Sequence, residues 1–154
     1  MGYTHYWYRD PDEPREAYGN LRDDARKLYK VAASRGIELA GWNGWGFPVA
    51  KVELISFNGA DPQDYESFTF PPVPDGFVVE SDDGRKRHFD STKTGYRPYD
   101  AVVCALLIRA KLHYGDSLEV SSDGDWTDWL ESARDLYLET FSVEPECPFD
   151  QEDA

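Results

Sequence analysis

Eight consecutive apolar residues, Ala101 to Ile108, open a stretch that stays apolar on nearly every side until Arg109. A helix of that kind has no wet face along its first two turns, so the remainder of the chain must wrap it. In a chain of 154 residues one such segment defines a single core. Pro98 ahead of it and Gly115 behind it mark its ends. The run is far short of the ~20 apolar residues that span a bilayer, so no membrane partner is expected.

The flanking segments supply the wrapping. Tyr3, His5 and Trp7 share one face of a predicted first strand, and Thr4, Tyr6 and Tyr8 share the other. Ala17, Leu21, Ala25, Leu28, Tyr29 and Ala32 recur at helical spacing until Gly36, which marks a surface helix with one buried stripe. Val52, Leu54 and Phe57 suggest a strand with a turn at Asn58-Gly59, and Phe68 with Phe70 another that ends at Pro71, Pro72 and Pro74. Phe77 to Glu80 and Arg87 to Ser91 read as a hairpin around Ser81-Asp82-Asp83-Gly84. Leu118 and Val120 predict a short strand, and Asp125 caps a last helix through Trp129, Ala133, Leu136, Tyr137 and Phe141. The expected order is β-α-β-β-β-β-α-β-α. Successive strands in the middle imply an α+β domain with a mostly antiparallel or mixed sheet and three helices, spanning residues 1–142, and residues 143–154 form an acidic tail expected to fray.

Composition narrows the function classes. The formal net charge is −14, which disfavours direct contact with nucleic acid or an anionic membrane. The basic clusters, Arg85-Lys86-Arg87 and the Lys93/Arg97 pair, are small. The excess of Asp over Glu and Arg over Lys suits a high-salt organism, a GC-rich genome or a protein that imitates DNA charge, and composition alone does not separate the three. The aromatic content of 15% supplies large buried area at few residues. Cys104 and Cys147 form no CxxC pair and read as free thiols in a reducing, cytoplasmic setting. The start is aromatic and polar, which is not a secretory signal.

Four segments carry polar groups beyond what local structure needs. Lys93, Thr94 and Arg97 precede the apolar helix, where free N–H groups and two cations make a seat for phosphate or carboxylate. The bland alternative is a cationic loop paired with nearby carboxylates. His5, Tyr6 and Trp7 suit stacking on a flat ligand with the imidazole as hydrogen-bond partner, or else a strand whose rings pack in the core. Asn58 and Asp123 can read hydroxyl or amide groups, although Ser121 to Asp125 is equally an ordinary turn and cap, with nothing asked of Gly124 beyond turn geometry. Asp100, in the first helical turn, is expected to stabilise the helix only. No zinc spacing, nucleophile elbow or phosphate-loop motif is present, so no metal, cofactor or catalytic residue is expected.

The blocks Gly2-Tyr3-Thr4-His5-Tyr6-Trp7, Phe57-Asn58-Gly59, Lys93-Thr94 with Pro98-Tyr99-Asp100, and Ser121-Ser122-Asp123-Gly124-Asp125-Trp126 occur in that order. In this the chain resembles a family of small proteins scattered through bacteriophage, bacterial and archaeal genomes. The resemblance brings no catalytic residue, and it implies a viral or virus-associated role such as sequestering a nucleotide signal of host defence. The expectation is a non-enzymatic binder of a phosphate-bearing, nucleotide-like molecule through His5, Tyr6, Trp7, Asn58, Lys93, Thr94, Arg97 and Asp123. A hydrolase using His5 as general base and an acidic decoy for a host DNA-binding protein are the alternatives, and a homo-oligomer is left open.

Overall fold

The computed structural model describes residues 2–149. The element order is β1 (Thr4–Arg9), α1 (Ala17–Ser34), β2 (Leu39–Ala40), β3 (Val49–Ala50), β4 (Ile55–Gly59), β5 (Phe68–Phe70), β6 (Phe77–Glu80), β7 (Lys86–Lys93), α2 (Asp100–Tyr114), β8 (Leu118–Ser122) and α3 (Trp126–Phe141). This is an α+β fold with three helices and antiparallel sheets, as expected. The middle of the chain holds six short strands where four were predicted.

The main sheet has the order β6-β7-β1-β8, with every neighbour antiparallel. With the segment from β2 to β5 set aside, β1-α1-β6-β7-α2-β8 in that strand order is a split β-α-β arrangement of the ferredoxin-like kind. The inserted segment builds a small second sheet on β4, which pairs with β2, β3 and β5. Here the prediction fails in detail. Asn58 and Gly59 are not a turn but the end of β4, opposite Ala40 and Leu39. Val52 lies outside any strand and is exposed, because Lys51 and Leu54 bond each other across a tight turn instead.

The core follows the alternation of β1. Tyr3, His5, Trp7 and Arg9 are buried on the inner face, and Tyr6 and Tyr8 on the outer face are only partly covered. Trp7 packs on Phe68, which continues through Phe57 and Phe70 into the second sheet. α2 runs between α1 and α3 and is buried from Asp100 to Ile108, which explains why it carries apolar residues on all sides. Asp125 caps α3 as expected, in a reciprocal capping box with Asp128.

The expected fraying after Ser142 is absent over residues 143–149. Phe149 is buried against Trp129, and Glu144 pairs with Arg134. The last five residues of the anticipated tail lie outside the described residues. Among the described residues, no helix is long and apolar enough to cross a membrane.

Candidate functional site

Asp100 is the point where β1, β7, α2 and α3 meet. Its Oδ1 accepts hydrogen bonds from Thr94 Oγ1 and His5 Nε2, each at 2.6 Å. Its Oδ2 accepts from Ser132 Oγ at 2.7 Å and from the Cys104 thiol at 3.5 Å. Burial pushes this carboxyl up, but donation from His5, Thr94 and Ser132 outweighs it and holds the group below its ordinary value. The Cys104 thiol is pushed well up by burial and by the charge of Asp100, so it stays protonated.

The donors around His5 determine its proton. Ser122 Oγ accepts from the Gly124 backbone N–H at 2.9 Å and from Trp129 Nε1 at 3.1 Å. Neither donor can act as an acceptor, so both lone pairs of Ser122 are filled. Its own O–H therefore donates to His5 Nδ1, 2.7 Å away, and the neutral ring carries its hydrogen on Nε2, toward Asp100.

Ser122, His5 and Asp100 thus lie in the order of a hydrolase triad, but the arrangement does not serve one. An attacking oxygen needs a free lone pair and a route to substrate. Ser122 lacks the first, and it lines none of the clefts described below; His5 is 0% exposed. His5, Asp100 and Cys104 also place three ligand atoms within 4.8 Å of one another. In this structure the imidazole Nε2 and the thiol both spend their hydrogens on Asp100, and a metal would have to displace both protons. Every side-chain donor of the network has an acceptor within it.

Above Asp100 the chain leaves a cleft of about 430 Å³ between the 95–98 loop and the first turns of α3. Tyr3, Tyr96, Arg97, Asp128, Glu131 and Ser132 line it. Tyr96 adopts φ +63°, after Gly95 at +57°. A left-handed tyrosine costs about 1–2 kcal/mol, and its ring is recovered by stacking on Tyr3 at 3.9 Å and 14° while remaining 71% exposed. The Tyr3 phenol is held neutral, its pKa raised by burial and further by the charge of Asp100. Tyr3 also explains Gly124, for which sequence alone gave no special role. A Cβ at that position would lie 2.5 Å from the Tyr3 hydroxyl.

Arg97 and Lys93 flank the same ring, lying 5.2 and 5.6 Å from the centroid of Tyr65. Among the described residues neither forms an ion pair with a carboxylate. Arg97 donates to the Gly95 carbonyl at 3.1 Å. Among the described residues, then, the cations of this loop are not neutralised by neighbouring acids as the bland reading has it.

Of the eight residues expected at one site, Arg97 lines the cleft, and Lys93 shares the Tyr65 ring with it. The others are elsewhere or committed. His5 and Thr94 are fully buried and face Asp100 from below. Trp7 is a core residue, because alternation carries it under α1 and α2. Tyr6 is on the opposite face of β1, where its hydroxyl donates to Asp123 at 2.9 Å. Asp123 is consumed there, accepting also from the Thr4 backbone N–H. Asn58 is buried and staples the loop after β4, accepting from the N–H groups of Gly59 and Tyr65 and donating to Ser67 and the Tyr65 carbonyl. Tyr3, Tyr96, Asp128, Glu131 and Ser132 were missed. The available signals were Tyr96 inside the Lys93–Asp100 block and the three-residue spacing of Asp128 and Glu131, which puts both on one face of α3. Comparison with protein-family models, curated proteins and solved structures finds no match.

Proposed function

We propose that this protein is a non-enzymatic binder that holds a nucleotide-like molecule in the cleft between the 95–98 loop and α3. The observation that carries the reading is Arg97: a guanidinium that has no carboxylate partner among the described residues and lines the cleft next to the exposed ring of Tyr96. Tyr96 offers a face for a base, at ~1–3 kcal/mol per stacked base. Arg97 takes one phosphate, with Lys93 adding charge from the side. Asp128 and Glu131 on the far wall accept from ribose hydroxyls or an exocyclic amine, and their charge limits the ligand to few phosphates. One stack and one charged clamp contribute about 3–6 kcal/mol, which corresponds to millimolar to tens-of-micromolar binding.

Binding is favoured over turnover because the nearest imidazole, His5, is sealed beneath Asp100 and its proton is already assigned. A virus-associated role in sequestering a nucleotide signal belongs to this proposal through the sequence resemblance alone. The decoy reading keeps one supporting observation, the net charge of −14.

Titration calorimetry with AMP, adenosine and inorganic phosphate tests the proposal. AMP should bind better than either fragment, Arg97→Ala should weaken AMP by tenfold or more, and AMP should be recovered intact after the protein is denatured. No binding of AMP, GMP, CMP or UMP would remove the proposal. Salt-sensitive capture of a basic protein, unaffected by Arg97→Ala, would install the decoy in its place.

A further inference from the structure

The cleft does not close beyond Arg97. Pro98 lines both the cleft and an adjoining hollow of about 130 Å³ that includes Gly36 and Ala60. Ile37 lines both the cleft and a third hollow of about 500 Å³, which shares Gly36, Glu38 and Ala60 with the second. The three hollows therefore adjoin one another in a row, called the furrow, from the first turns of α3, over the turn that ends α1, to Pro48.

The chemistry changes along its length. At the α3 end the walls carry Arg97, Asp128 and Glu131. At the far end they are Tyr29, Ala33, Ile37, Leu39 and Pro48, with Glu38 the one charged lining residue. Tyr29 gives its hydroxyl to the Val49 carbonyl at 2.8 Å, so its polar end is occupied. Gly36, at φ +78° and with open space where a Cβ would stand, keeps the crossing point low. Arg97 and Pro98 are consecutive, so the cation lies where the polar cleft passes into the apolar furrow.

Resting on the nucleotide reading above, we infer that the ligand is a nucleoside monophosphate esterified with an apolar group. Its base lies on Tyr96, its phosphate is at Arg97, and its apolar substituent follows the furrow over Pro98 and Ile37 toward Pro48. A free mononucleotide fills only the first hollow and leaves the apolar walls wet, whereas a tailed one removes them from water. The single phosphate in the middle also agrees with a site that offers one lining guanidinium.

The test compares AMP, its 5′-phosphate octyl ester and octyl phosphate by calorimetry, below their aggregation concentrations, on the wild-type chain and on Ala33→Trp. Ala33 is exposed on α1, so the indole occupies the far furrow without entering the core, and thermal melting verifies the fold. The octyl ester should bind wild type at least tenfold more tightly than AMP and than octyl phosphate. In Ala33→Trp that advantage over AMP should fall to threefold or less. If AMP binds and the ester gains nothing, the inference is overturned and the nucleotide site stands. The same holds if the gain survives Ala33→Trp. If octyl phosphate matches the ester while AMP does not bind, the nucleotide reading fails and takes this inference with it.

Discussion

Asp100 separates two layers of polar groups that differ in how much bonding capacity they have left. Beneath it, His5, Thr94, Cys104 and Ser122 are bonded to one another or to Asp100, and every side-chain donor among them already has an acceptor. Above it, Arg97 has no carboxylate partner among the described residues, and Tyr96 shows one face to solvent. The lower layer contains the residues that look most chemical, an imidazole, a thiol and a serine in line. The upper layer contains those able to hold something. Spare valence next to open space, and not residue type, distinguishes a site from a scaffold.

The largest effect should come from breaking the lower layer. Asp100→Ala strands buried donors on four side chains at once and should cost about 3–5 kcal/mol in urea unfolding. The same carboxylate makes the fold acid-sensitive. Its folded-state pKa is depressed, so its stabilisation is present above the unfolded value of 3.8 and is lost as pH falls through the lower folded value. Asp24 acts with the same sign: burial pushes it up, but His113 and Arg109 hold it down. A denaturation series from pH 7 to pH 3 should show falling stability for wild type and a shallower fall for Asp100→Ala.

Gly124→Ala sharpens the comparison by striking where the layers touch. The added methyl collides with the Tyr3 hydroxyl, so about 1–3 kcal/mol of stability should be lost. AMP binding should weaken too, because Tyr3 supports the Tyr96 ring. Both losses should appear in one calorimetric and one unfolding series. Arg97→Ala touches the upper layer alone. A tenfold loss of AMP affinity, about 1.4 kcal/mol, should come with a change in stability within about 0.5 kcal/mol. An equal loss of stability would show that Arg97 is scaffold after all.

Tyr114 is the counterexample to the saturated layer and the smallest expected effect. Among the described residues its buried hydroxyl has no hydrogen-bond partner, and burial raises its pKa. Tyr114→Phe deletes the unsatisfied oxygen and should stabilise the fold by about 1 kcal/mol in the same urea assay. Destabilisation would reveal a partner for that oxygen.

Much of the frame was readable in one dimension. The burial of α2, the two faces of β1 and the cap at Asp125 are local matters of periodicity and spacing over a few residues. Asn58 shows the limit. Asn-Gly is a turn signal when judged alone, but Ala40 and Leu39, 18 to 20 positions away, draw it into a strand. The candidate site was legible only as a neighbourhood. The 93–100 segment does border the cleft, but its opposite wall comes from α3, and no local pattern announces that meeting.

From the order of its residues this protein obtains its class, its buried helix and the faces of its first strand, since these depend on which side of a short segment avoids water. Which polar groups are consumed and which stay available was decided by tertiary structure. His5 and Asp100 are 95 positions apart, and only folding determines whether an imidazole meets a carboxylate or a ligand. A hydrogen bond is counted at both ends, and the second end lies elsewhere in the chain.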